Sequence, residues 1–127
     1  MKAIQVKQVG ACEVMQLVDL PIPQPKPDEA VVKLAASGVN FIDVYYREGR
    51  YKATPPFILG QEGAGVVTAV GSDVKSVKVG DRVAWSGQLG SYAEYAVVAA
   101  DRLVPIPPGV TEEQAAAAML QGMTAQY

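Results

Sequence analysis

Residues 63–71 read GAGVVTAVG, an apolar run of strand length with a glycine at each end. Valine and threonine favour extended strands, and the flanking glycines allow the chain to turn. Other strand-like segments lie at residues 2–9, 14–19, 30–36, 79–84 and 91–99. Short strands separated by glycine and proline are typical of small barrels, so the sequence predicts a mainly β protein with a partly open barrel.

Four prolines stand at every second position: Pro21, Pro23, Pro25 and Pro27. Each removes a backbone donor and restricts the residue before it, which excludes a helix or a central strand. We therefore expect an extended surface segment here.

Two helices are expected. Residues 40–48 fit a short helix with Asn40 as N-cap and Gly49 just past its end. A second helix should start after Thr111, because Gln114 three residues later completes a capping box. The apolar residues expected on one face of this second helix have no evident partner in the chain; they are Ala115, Ala118, Met119 and Gly122.

The composition excludes several classes of function. A chain of 127 residues is one domain by length, and its net charge of -2 without a basic run argues against nucleic acid. No apolar run approaches the ~20 residues that span a bilayer. The first residues enter a strand-like pattern at once, so no signal peptide is expected. With a single cysteine, these features favour the cytoplasm.

Zinc is not expected in this protein. Zinc sites usually have four tetrahedral ligands dominated by cysteine and histidine. The chain has no histidine and one cysteine, Cys12, so it lacks the residues for a structural site.

The segment around residues 40–51 allows two interpretations. Asp43 and Arg47 are four residues apart, a spacing that favours an ion pair on a helix. On the residues alone, a capped surface helix with packing tyrosines is favoured over a reactive cleft.

A series of motifs resembles the medium-chain dehydrogenase/reductase superfamily. The motifs are GVNFID at 38–43, GQEGAGVV at 60–67, VGDRV at 79–83, GSYAEY at 90–95 and GMTA at 122–125. A turn at residues 10–15 also resembles the family, with Cys12 in place of the usual proline. The resemblance implies a GroES-like barrel that supplies the substrate side of the cleft.

The resemblance points to the zinc-free NADPH:quinone reductase, or zeta-crystallin-like, branch of the superfamily. In the zinc branch a cysteine and a histidine hold the metal at the places that match Asn40 and Gln61. Both residues here are neutral amides. The resemblance therefore implies hydride transfer from NADPH to a quinone without a metal.

The same resemblance implies roles for individual residues. Asn40 would hydrogen-bond the nicotinamide region of NADPH, and Thr124 would contact the cofactor near the nicotinamide. Tyr127 would border the same space, while Tyr45 and Tyr51 would line the quinone pocket.

Three neighbouring residues would have supporting roles. Asp43 and Arg47 would brace the segment, and Gln61 would fill the vacated metal position. Glu62 is expected to be a buried acid held by an arginine or by backbone donors rather than a proton donor.

The dinucleotide fingerprint is absent. Gly63 and Gly65 begin a G-x-G-x-x-G pattern, but Thr68 stands at its third glycine position. The family's Rossmann domain would follow Tyr127. We expect a catalytic domain at residues 1–110 and the start of a connecting helix at 111–127, in a truncated chain that is inactive alone.

Two alternatives remain at this stage. One is a zinc-free enoyl or alkenal reductase of the same superfamily, and the other is a non-enzymatic GroES-like binding module. Because the helix after Thr111 offers an apolar face without a partner, we expect a homo-oligomer, most simply a homodimer that buries this helix.

Overall fold

The computed structural model describes all 127 residues and contains two antiparallel sheets. The first sheet has the strand order β2-β1-β4, and the second has the order β7-β3-β5-β6-β8. The strands are β1 (Lys2–Val6), β2 (Met15–Asp19), β3 (Glu29–Gly38), β4 (Phe57–Ile58), β5 (Glu62–Val70), β6 (Arg82–Ser86), β7 (Tyr95–Ala99) and β8 (Val104–Pro105). The two sheets do not close into one barrel, so the prediction of a mainly β, partly open barrel is confirmed.

The glycine-bounded run forms the central strand of the larger sheet. β5 pairs with β3 on one side and with β6 on the other. The main core lies against this sheet, where apolar side chains from alternate strand positions meet. Its buried members are Ala30, Val32, Val67, Val77, Val83, Trp85, Ala96, Val98 and Leu103.

One strand prediction is partly wrong. The pattern at residues 91–99 predicts a single strand, but β7 begins only at Tyr95. Ser91 and Tyr92 instead donate their backbone N–H groups to the carbonyls of Gly60 and Leu59. Tertiary hydrogen bonds to the β4–β5 connection therefore override the alternating pattern in this segment. The proline-rich residues 20–26 have no regular secondary structure, as predicted.

Both predicted helices are present. They are α1 (Phe41–Arg47) and α2 (Glu112–Gln126). The capping box of α2 forms as expected: the Thr111 hydroxyl accepts from the Gln114 N–H at 3.1 Å, and the Gln114 side chain accepts from the Thr111 N–H at 3.0 Å. Neither helix combines the length and the apolar composition that a membrane-spanning segment requires.

The prediction that the apolar face of α2 has no partner in the chain is partly wrong. α2 packs on β3, β5 and β6, and its first apolar residues close a second core cluster on the barrel. This cluster contains Ala64, Ala84, Ile106, Ala115 and Ala116, with Met119 packed against it. The small side chains on both surfaces allow close approach. Only the outer part of the predicted face, at Ala118 and Gly122, is exposed.

Candidate functional site

The start of α1 is fixed by a buried carboxylate. Asp43 is 5% exposed, and its Oδ2 accepts from the backbone N–H of Asn40 at 2.9 Å and from the Tyr92 hydroxyl at 2.7 Å. The expected Asp43–Arg47 ion pair does not form. Arg47 instead donates to the Gly10 carbonyl and to the Glu48 carboxylate, both at 3.3 Å, because Asp43 faces inward.

The contact with Asp43 changes the acidity of Tyr92. Burial raises the pKa of the Tyr92 hydroxyl above its usual 10.0, and the hydrogen bond to Asp43 and its charge raise that pKa further. Tyr92 is therefore a stable neutral donor that holds the first turn of α1.

Asn40 lies between three elements. Its Nδ2 donates to Glu62 Oε2 at 2.8 Å, and its Oδ1 accepts from Gln121 Nε2 of α2 at 3.0 Å. Asn40 is the N-cap residue of α1 as predicted, yet its side-chain amide spans β5 and α2.

Glu62 is the carboxylate at the centre of this arrangement. It begins β5, is fully buried, and its Oε1 accepts from the Leu120 backbone N–H at 2.7 Å. A backbone donor holds it, as predicted. The Asn40 amide takes the place of the arginine that was the other expected partner.

Gln61 precedes this carboxylate and is 4% exposed. Its Nε2 is buried without a hydrogen-bond partner. No group of three His, Cys, Asp or Glu side chains is arranged to hold a metal ion, and Cys12 is exposed. The polar groups at the place expected for a metal are thus neutral amides beside one carboxylate.

The tyrosines of the segment lie together. The Tyr45 and Tyr51 rings meet edge to face with centroids 5.6 Å apart, and Tyr46 meets Tyr51 at the same distance. The Arg50 guanidinium lies 5.5 Å from the Tyr45 ring centre. Because Tyr51 is 47% exposed, the cluster presents an aromatic surface to solvent.

Two further predicted residues lie on α2. The Thr124 hydroxyl donates to the Leu120 carbonyl at 2.8 Å, and Tyr127 is fully exposed at the last position of the chain. Gln121, Thr124 and Tyr127 are spaced three apart, so they follow one side of the helix. Of these three residues only Gln121 bonds to Asn40; the Thr124 side chain bonds within its own helix, and Tyr127 forms no side-chain hydrogen bond.

An open pocket of about 280 Å³ lies along α1. It is lined by Met15, Val39, Asn40, Asp43, Val44, Arg47, Leu59 and Tyr92. Tyr45 and Tyr51 do not line it. Asn40 is therefore the only predicted site residue on this pocket wall.

Sequence reasoning missed Gln121 and Tyr92. Tyr92 lies within the GSYAEY motif, which could have drawn attention to it. Gln121 carries no such signal, because an exposed glutamine on a helix is ordinarily only a solvated side chain.

Comparisons with known proteins agree with the geometry. Residues 26–108 match the alcohol dehydrogenase GroES-like domain family. The chain is 51% identical to the quinone oxidoreductase of Pseudomonas aeruginosa, over 99% of this chain and 39% of that protein. It is 41% identical to quinone oxidoreductase 1 of Escherichia coli, over 98% of this chain and 38% of that protein.

Solved structures show the same fold. A quinone oxidoreductase from Pseudomonas syringae superposes with a TM-score of 0.96 at 51% identity, over 99% of this chain and 39% of that chain. The Escherichia coli quinone oxidoreductase complexed with NADPH superposes with a TM-score of 0.95 at 40% identity, over 100% of this chain and 40% of that chain. This chain thus spans about two fifths of these relatives' length. It belongs to the alcohol dehydrogenase GroES-like domain family, within the medium-chain dehydrogenase/reductase superfamily.

Proposed function

We propose that this chain is the substrate-side domain of an NADPH-dependent quinone oxidoreductase. The observation that carries the proposal is the Asn40 amide, held at the start of α1 between Glu62 and Gln121. An amide fixed by two partners can orient a flat ligand without reorganising when the ligand binds. The similarity to quinone oxidoreductases supports the substrate class.

The residues present fit the nicotinamide part of NADPH. Asn40 Nδ2 has a second N–H, and Asn40 Oδ1 has a second lone pair. Thr124 uses its proton on the Leu120 carbonyl, so its oxygen remains an acceptor for an amide N–H. We propose that Asn40 and Thr124 hold the cofactor and that Tyr127 borders it. When bound, NADPH would supply the hydride.

The tyrosine cluster suits the other reactant. We propose that Tyr45 and Tyr51 line the quinone pocket of the complete enzyme, which is distinct from the pocket along α1. Their rings offer a flat apolar surface there, and their hydroxyls offer neutral donors. A donor aimed at the quinone oxygen stabilises the negative charge that develops as the ring is reduced. The edge-to-face contact between the two rings fixes their mutual orientation.

We propose that the reaction needs no zinc. A zinc ion acts as a Lewis acid on an oxygen atom. Asn40 and Gln61 are amides that do not offer the ligands zinc prefers, and the sequence contains no histidine. Neutral hydrogen-bond donors, instead of a metal ion, would stabilise the negative charge that develops on the quinone oxygen.

The rest of the proposal concerns the parent protein. Because the chain spans about two fifths of its relatives' length, we propose that it is a truncated part of a cytoplasmic enzyme. In this proposal residues 1–110 are the catalytic barrel, and 111–127 belong to the helix that connects it to a nucleotide-binding domain. The partner is a small quinone, not nucleic acid or membrane. For the 127-residue chain by itself, we also propose a homo-oligomer that buries the exposed outer face of α2, next to an open groove of about 400 Å³.

Kinetics of the complete enzyme test the proposal. Tyr45→Phe and Tyr51→Phe should each lower kcat/KM for the quinone roughly fivefold, since a lost neutral hydrogen bond costs about 1 kcal/mol. The KM for NADPH should not change. Tyr95→Phe, on β7, is the matched control and should retain full activity. Unchanged quinone kinetics in both variants, or a defect confined to NADPH, would remove these tyrosines from the quinone pocket.

A further inference from the structure

Glu62 is a buried acid to which the proposed reaction gives no step. It is fully buried and forms no salt bridge. Its two oxygens accept from Asn40 Nδ2 and from the Leu120 backbone N–H. A buried carboxylate is costly unless its oxygens have donors, so these two bonds hold the side chain in one orientation.

The backbone around Glu62 leaves space for this carboxylate. Gly38 lies opposite Glu62 in the β3–β5 pairing. A Cβ added at Gly38 would lie 2.1 Å from Glu62 Oε2, well inside van der Waals contact. Gly38 has no left-handed backbone angle that would require glycine, so the need for glycine is steric.

A carboxylate decides which end of the Asn40 amide faces it. An ionised carboxylate only accepts hydrogen bonds, so only Nδ2 of Asn40 can bond to it. Oδ1 is then directed to Gln121, which donates to it at 3.0 Å. Gln121 can rotate its own amide to suit either arrangement, because it is exposed. The choice therefore comes from Glu62.

We propose that Glu62 is the positioning residue of this site: it sets the orientation of the Asn40 amide and fastens α2 to the barrel through Leu120. The first part rests on the proposed role of Asn40 in holding the cofactor. Glu62 touches neither reactant, and its effect passes through Asn40, whose remaining N–H and lone pair are presented in one arrangement.

The substitution Glu62→Gln distinguishes an effect on the orientation of the Asn40 amide from an effect on the stability of the fold. The Leu120 donor belongs to the backbone and cannot reverse, so the carbonyl oxygen of the substituted side chain would stay with Leu120. The amide nitrogen of that side chain would then face Asn40, and the Asn40 amide would turn to present Oδ1. Asn40 Nδ2 would point toward exposed Gln121 and lose its buried acceptor.

Solvent-exchange NMR of the labelled chain measures both contacts. In Glu62→Gln the Asn40 side-chain amide protons should exchange roughly tenfold faster, as expected when a bond worth about 1.4 kcal/mol is lost. The Leu120 amide should keep its wild-type protection. Glu113→Gln makes the same chemical change at an exposed site of α2 and should alter neither.

Other results would overturn the proposal. Equal acceleration at Asn40 and Leu120 would mean that Glu62 merely stabilises the fold, and no acceleration at Asn40 would mean that the carboxylate does not orient it. Gln121→Ala gives a second test that does not depend on Glu62→Gln folding. Asn40 exchange should stay slow there, and fast exchange would assign the orientation to Gln121. These measurements use no cofactor or quinone, so their failure is distinct from failure of the proposed activity.

Discussion

The hydrogen bond between Tyr92 and Asp43 is one of the contacts that hold the start of α1. Asp43 Oδ1 is buried without a partner, so Oδ2 alone carries the bonds to the Asn40 N–H and to the Tyr92 hydroxyl. Removing the tyrosine proton or hydroxyl would leave a buried carboxylate with one donor fewer. The positions of Asn40 and Asp43 in the wall of the pocket along α1 thus depend on the neutral Tyr92 hydroxyl.

Tyr92→Phe should therefore change how stability depends on pH. Because the folded state raises the pKa of Tyr92, its contribution is fully present below pH 10.0 and is lost as pH rises above that value. Tyr92→Phe should lower the free energy of unfolding by about 2 kcal/mol at neutral pH and reduce its alkaline decline. Urea titrations at neutral and alkaline pH measure this. Tyr127→Phe, at an exposed tyrosine, is the control, and identical alkaline behaviour of the two variants would rule out the Tyr92 contribution.

Local signals in the sequence predict the frame of the site but not its long-range contacts. Asn40 as N-cap and the burial of Glu62 against a backbone donor are found as expected. The prediction of an Asp43–Arg47 ion pair is wrong, because helical spacing does not reveal that Asp43 faces inward. Tyr92 and Gln121 reach their partners across 49 and 81 residues of chain, separations that no periodicity encodes.

At the scale of elements, β3, β5 and α2 meet at the Glu62 carboxylate. Capping signals and apolar patterns predict each of these elements. How α2 docks could not be predicted, because small residues such as Ala115 and Ala64 pack closely without a distinctive pattern. For that reason the inner part of the face expected to be free, at Ala115 and Met119, is covered.

Alanine substitutions at Gly38 and Gly122 test how tightly β3, β5 and α2 pack around the Glu62 carboxylate. Gly38→Ala should destabilise the fold by about 2 kcal/mol, because its Cβ would overlap the buried Glu62 side chain. Gly122→Ala, on the exposed side of α2, meets no atom and should stabilise the protein by up to about 1 kcal/mol. Thermal unfolding of both variants gives the comparison. A neutral Gly38→Ala would show that the carboxylate does not occupy the space we describe.

At the scale of the whole molecule, we propose that the chain supplies the barrel side of a nucleotide site. The phosphate-binding turn of dinucleotide folds is absent from the sequence, and Thr124 and Tyr127 lie exposed at the end of α2. We expect the 127-residue chain to bind NADPH poorly and to self-associate through the outer face of α2. Calorimetry and light scattering test the two expectations; micromolar affinity for NADPH, or a monodisperse monomer at high concentration, would contradict them.

We propose above that this domain serves quinone reduction by NADPH without a metal. The most direct measurement is the rate of NADPH oxidation by a quinone in the complete enzyme, before and after removal of metals with a chelator. We expect an unchanged rate after chelation, together with zinc far below one ion per chain by elemental analysis. Stoichiometric zinc, with activity lost on chelation and restored by adding zinc, would contradict it, as would failure to reduce any quinone.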